Sequence, residues 1–299
     1  MKTRPCSDQS GFTLIDLMTI IVVFGLLLVV CIPALGKAGT NSKSLRCLNN
    51  VRQLANGWRM YADDNRDRIV YASTDGGGRT ASSVPVNTNP NDPNNYAWSG
   101  AHMDYQSGGL NRANWDVNYD ITKRPLWPYV GRDASIYKCP EDQSSVPNAS
   151  GTIVPRVLSM TMNTYLGGFV GTSGGWDFFS WFPRVFLKTT DLTTITPAKT
   201  FVFMDQRPDV INWSNFMVVM DGFQPNDPTR YQLGDLPGFF HDGGAAFSFA
   251  DGHGELHRWQ DQRTIPPLNS ATTIIDVDTG WGSNNPDVAW LQDHASRPR

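Results

Sequence analysis

The arrangement of apolar and polar positions divides the chain into contrasting stretches. The first is an almost unbroken apolar run from Leu14 to Leu35, LIDLMTIIVVFGLLLVVCIPAL. Between Leu17 and Gly36 it holds no charge, and Thr19 is its one clearly polar residue. That length meets the roughly 20 residues a helix needs to cross a bilayer core, so the pattern predicts a membrane-spanning helix. Lys2 and Arg4 precede it, which predicts a cytoplasmic N-terminus and an exported remainder. Pro33 removes a backbone hydrogen bond within the run, and Gly36 and Gly39 follow, so a loosened exit is expected there.

Periodicity then changes. In SLRCLNNVRQLANGWRMYADDN, Ser44 to Asn65, the residues Leu45, Leu48, Val51, Leu54, Ala55, Trp58 and Tyr61 recur at steps of three and four. That spacing predicts an amphipathic helix lying on a sheet. Arg46, Arg52 and Arg59 read as its solvated face. From Ser73 to Asn118 the chain turns to Gly, Asn, Pro, Ser and Asp, with little regular structure expected. Tyr96, Trp98, Tyr105 and Trp115 interrupt this excursion, either as packed core or as a face for carbohydrate. Strand patterns gather later, at Val157–Met162, Thr200–Met204, Phe216–Met220, Ala245–Ala250 and Glu255–Trp259, and predict an antiparallel sheet. The last two alternate and flank Asp251-Gly252-His253-Gly254, the composition of a tight hairpin.

Composition adds limits. The 299 residues, 40% hydrophobic and 11% aromatic, suffice for a substantial core. A net charge of -3 offers no clustered basic surface, so nucleic acid is not an expected partner. Of four cysteines, Cys6 precedes the apolar run and Cys31 lies within it, leaving Cys47 and Cys139 for the folded domain.

Around the start of the run, Gly11-Phe12-Thr13-Leu14-Ile15-Asp16-Leu17-Met18 resembles the class III leader junction of type IV pilins and type II secretion pseudopilins. The resemblance implies cleavage after Gly11 by prepilin peptidase and N-methylation of Phe12. It also implies an assembly role for Asp16, which stands where the family usually has glutamate, and for Pro33. A carboxylate in an apolar setting calls for a partner, and the amine released at Phe12 of a neighbouring subunit can supply it; the alternative is an interfacial carboxylate favouring a helix N-terminus. Three further segments are similar to recurrent elements of large pilin-like proteins: Cys47-Leu48-Asn49-Asn50, Tyr137-Lys138-Cys139-Pro140, and a His-x9-Asp-Gly signature from His241 to Asp251-Gly252.

Candidate chemistry is sparse. Asp205, Asp221, His241, Asp251, His253 and His257 are the residues from which a metal site could be drawn. Zinc asks for three or four convergent ligands, while calcium asks for six to eight oxygens, for which Asp205, Asp221, Asp242 and Asp251 are the raw material. Ca2+ enters by resemblance to some pseudopilins; the other reading needs no cofactor, with Asp251-Gly252 making a turn and His241 bonding nearby backbone. Cys47 and Cys139 are the one exported pair. They form either a disulfide closing about ninety residues, worth roughly 4 to 5 kcal/mol, or two buried thiols. No nucleophile elbow, phosphate loop, His-Glu-x-x-His or dinucleotide fingerprint occurs, so no enzyme is expected; His257 with Asp251 is the best hydrolytic pair.

The expected fold is α+β, a long membrane-spanning and amphipathic helix packed on a C-terminal antiparallel sheet, as in pilins. Its parts are a leader (1–11), a transmembrane helix (12–36), an amphipathic continuation (37–65) and an exported domain (66–299) with the signature hairpin at 241–259. The expected function is a pilin-like or pseudopilin subunit, processed by prepilin peptidase and assembled with other subunits from the inner membrane. Its folded domain would be periplasmic or extracellular. The alternative is a singly anchored envelope protein that binds polysaccharide through its aromatic-rich excursion.

Overall fold

The computed structural model describes residues 14–74, 84, 86–176, 182–269 and 282–298; within the first helix it describes the side chains of 14–24 and 42–64. Gly11 and Phe12 lie outside the described residues, as does the side chain of Pro33.

The chain divides into two compact units, 1–42 and 43–299, with the division inside helix α1 (Leu14–Asp64). In the first unit the described side chains, Leu14 to Phe24, are all exposed. They cover about 16 Å of helix rise, half of a bilayer core of about 30 Å. Among the described residues no helix is long and apolar enough to cross a membrane. The membrane-spanning helix expected over 12–36, and the fold class built on it, are corrected accordingly.

The second unit is organised by a five-stranded sheet with the order β5-β3-β4-β6-β7. Its strands are β3 (Met160–Asn163), β4 (Phe201–Asp205), β5 (Asn215–Phe216), β6 (Gly244–Phe249) and β7 (Gly254–Arg258). A separate small hairpin pairs β1 (Ser145–Pro147) with β2 (Ile153–Pro155). Four of the sheet's strands pair antiparallel, but β5 runs parallel to β3, so the sheet is mixed rather than wholly antiparallel.

Central position explains the sequence of β4. All five of its residues are buried, because the sheet is covered on both faces and a strand there needs no polar side. One face carries Val51, Leu54, Ala55 and Trp58 of α1 together with Phe203 and Ala246. The other carries Phe201, Phe216, Phe247 and Phe249 with Leu291 and Ala295 of α2 (Pro286–Ala295). Burying each large α1 side chain contributes about 1.5 to 3 kcal/mol. The small Ala246 and Ser248 on β6 leave room for the helix above them.

The polar excursion is tied down from within. Buried Arg124 pairs with Asp120 and donates to the carbonyls of Asn94, at 2.7 Å, and Val84. Asp120 in turn accepts from Ser99 Oγ and the Gly100 amide. Trp98 sits in the core, stacked on Tyr137 and donating to the Ser214 carbonyl.

Candidate functional site

Four buried side chains converge where α1, β4, the loop after Tyr137 and the turn before β6 meet. They are Cys47, Cys139, Asp205 and His241, and one ligand atom from each lies within 4.8 Å of all the others. Each arrives by an elementary rule. Cys47 continues the buried stripe of α1, one turn before Val51. Asp205 follows Phe203 by two residues at the end of β4, so it shares Phe203's helix-facing side. His241 precedes a reversal at Asp242 and Gly243, both left-handed, and its amide donates to the Gly244 carbonyl.

Cys139 is placed by two contacts. Its amide donates to Ser159 Oγ at 2.8 Å, and Asn50, on the same α1 stripe, donates to the Lys138 and Ser135 carbonyls. The segments Cys47-Leu48-Asn49-Asn50, Tyr137-Lys138-Cys139-Pro140 and the His-x9-Asp-Gly signature therefore meet at one place.

The far end of that signature also reaches α1. Arg59 Nη1 donates to the Asp251 carbonyl at 2.6 Å. Gly252 has φ +95°, and a Cβ there would lie 2.6 Å from Arg59 Nη1. From Cys47 to Arg59 the helix rises about 18 Å, and the six residues of β6 span about 20 Å. Strand and helix run the same way, so the nine-residue spacing is the length needed to touch α1 at both ends.

Within the cluster, His241 Nε2 is 3.6 Å from Cys139 Sγ and 3.5 Å from Asp205 Oδ1. Its Nδ1 faces outward, 3.1 Å from Ser44 Oγ and 3.2 Å from Glu141 Oε1, and Ser44 donates to that same Glu141 oxygen at 2.8 Å. Asp205 Oδ1 accepts the Ala246 amide, whereas Oδ2 is buried with no hydrogen-bond partner among the described residues. Burial opposes a charge on His241, but Asp205 and Cys139 outweigh it and push its protonated form up to about 11. Burial, a hydrogen bond to Cys139 and the charge of Asp205 raise Cys47 well above the ordinary thiol. Cys139 moves down because it accepts that bond from Cys47 and, against burial, lies beside His241.

Both thiols are free. The two residues that the sequence offers either as a disulfide or as two buried thiols thus lie side by side, both buried. The other sequence candidates go elsewhere. Asp221 pairs with Arg230. Exposed Asp242 lies 3.6 Å from Arg258. Asp251 accepts the His253 amide in the hairpin turn, and His253 stacks on Phe249. His257 stacks on Trp290 at 3.8 Å. The oxygen-rich set expected for calcium is therefore dispersed. Sequence reasoning missed Glu141 and Ser44, although Glu141 stands two residues after Cys139 and Ser44 one helical turn before Cys47.

Comparison with protein-family models, curated proteins and solved structures finds no match to this chain.

Proposed function

We propose that the chain is a pilin-like structural subunit of a pilus or type II secretion pseudopilus, without catalytic activity. In this reading prepilin peptidase cleaves after Gly11, Phe12 is N-methylated, and the subunit assembles with others from the inner membrane. The observation that carries the proposal is the apolar surface of Leu14 to Phe24. Nine large hydrophobic side chains there are exposed, Leu14 by 76%, around a single carboxylate, Asp16. A surface of that kind requires a cover. Equivalent helices of neighbouring subunits supply one, and the amine released at Phe12 supplies a charge for Asp16.

The polysaccharide-binding reading has less support. Trp98 is buried, Tyr105 lies under the Arg156 guanidinium at 4.6 Å, and partly buried Trp115 donates to the Gly109 carbonyl. Tyr96 is the exposed ring of the four.

Mass spectrometry of the native N-terminus tests processing: a methylated Phe12 is expected, and an intact Met1 overturns the proposal. Gly11→Val should retain the leader. Asp16→Ala should be processed yet missing from sheared fibres, while Asp16→Glu assembles; equal recovery of the alanine variant and the unchanged chain would remove the pairing role.

A further inference from the structure

We propose that Cys47, Cys139, Asp205 and His241 bind one Zn2+ as a closed structural site that fastens α1 to the sheet. This inference is independent of the filament reading. It rests first on donor chemistry. Two thiolates select a soft or borderline cation and exclude calcium and magnesium, and an imidazole with a carboxylate completes a four-coordinate set suited to zinc.

Geometry agrees. Zinc bonds of about 2.0 to 2.3 Å place tetrahedral ligands about 3.3 to 3.8 Å apart. The His241–Cys139 and His241–Asp205 separations of 3.6 and 3.5 Å fall within that range, and no pair exceeds 4.8 Å. Contraction by about 1 Å at the widest pair completes the site. Asp205 Oδ2, buried and without a hydrogen-bond partner among the described residues, gives the carboxylate a second oxygen to offer or a reason to rotate.

The surroundings fit as well. A zinc-bound histidine donates its other nitrogen to a carboxylate or carbonyl, which fixes the tautomer and ring orientation. Here Nδ1 has Glu141 Oε1 and Ser44 Oγ to receive its proton while Nε2 points at the other three ligands. Zn2+ replaces the protons that the two thiols, and Nε2 where it is protonated, carry in its absence; those protons leave to solvent. With all four ligands from the protein and all four buried, no position remains for water or substrate, which makes the site structural rather than catalytic. A cavity of about 340 Å³ is lined by Phe240 and by Glu141, the carboxylate beside His241 Nδ1.

The site also resolves the choice between disulfide and free thiols. The ligands come from α1, the loop after Tyr137, the end of β4 and the start of the signature hairpin, so one ion would join four segments where a disulfide would join two.

The test uses the full chain purified without chelator under reducing conditions. Elemental analysis should find about one zinc per chain, and Co2+ exchange should give the intense visible bands of a tetrahedral site with thiolate-to-cobalt charge transfer. Cys139→Ser and His241→Ala should lose the metal, while His253→Asn, at the exposed hairpin turn, keeps it. Should the ligand variants not fold, Glu141→Gln provides the readout: it leaves all four ligands, and zinc affinity should fall 10- to 100-fold. Three results overturn the proposal: no zinc after reconstitution with the metal alone, a cobalt spectrum without charge transfer, or a linked Cys47–Cys139 peptide in metal-free native protein.

Discussion

His241, just before β6, and the trio of His253 and His257 on the β6–β7 hairpin with His294 on α2 meet different chemistry. His241 faces α1, among two thiols, a buried aspartate and a carboxylate behind its ring. The others face rings: His253 stacks on Phe249, and His257 and His294 both stack on Trp290, at 3.8 and 4.2 Å. The first is tied to two thiols and a buried carboxylate at once, whereas each of the rest combines a ring stack with one local acceptor: Asp251 for His253 at 2.6 Å, Glu255 for His257 at 3.3 Å and the Trp290 carbonyl for His294 at 2.7 Å. Local abundance of histidine and aspartate is thus a poor guide to a site; the decisive fact is which face of the sheet a residue occupies.

The comparison breaks most readily at His241. His241→Ala strands Asp205 and the two thiols and removes the tie to Ser44 and Glu141, so we expect a loss on the order of 3 to 5 kcal/mol. His257→Ala gives up a stacked ring and should cost about 1 to 2 kcal/mol. Urea denaturation of the two variants decides the matter, and equal losses would erase the distinction.

Next in size is Asn50→Ala, which leaves the Lys138 and Ser135 carbonyls without their side-chain donor. A cost of about 1 to 3 kcal/mol is expected. Cys139 should then react faster with an alkylating reagent in the native state, and an unchanged rate would mean that the loop is held without Asn50. Gly238→Ala belongs in the same range, since a Cβ there would lie 2.0 Å from Asp205 Oδ2 and must displace the carboxylate. Cobalt spectra of this variant should shift while those of a β7 surface variant do not.

The smallest effect sharpens the aromatic side. Burial holds His257 and His294 below the usual imidazole range of 6.5, against the pull of Glu255 on the first and of the Trp290 carbonyl on the second. At these two groups the folded state therefore binds fewer protons than the unfolded one, so their contribution to stability should be full above pH 6.5 and decline as pH falls through the depressed values. His257→Phe should flatten that decline in melts between pH 7 and 5. An unchanged slope would place the pH dependence elsewhere.

Much of this was readable in the chain, though not its assembly. The α1 stripe and the β6–β7 hairpin follow from local periodicity, because each is fixed by neighbours a few residues away. All four cluster residues were also recognisable, but in separate hypotheses: Cys47 and Cys139 as a disulfide, Asp205 and His241 among calcium or zinc candidates. What joins them is sheet register and the docking of α1, contacts between segments far apart in sequence that no local pattern encodes. The parallel pairing of β5 escaped for the same reason. Trp98 shows a different difficulty: its polar neighbours leave core and carbohydrate face both open, and it is buried Arg124 and Asp120 that draw that excursion into the core.

The reach of β6 along α1 makes the signature a ruler. One residue inserted between His241 and Gly252 would turn every later side chain of the strand to the opposite face, putting phenylalanines where Ala246 and Ser248 clear the helix. Two inserted residues would restore the faces but carry one anchor about 7 Å past its contact. Such a segment tolerates exchange of letters more readily than change of length, and chimeras of related chains should be joined outside it.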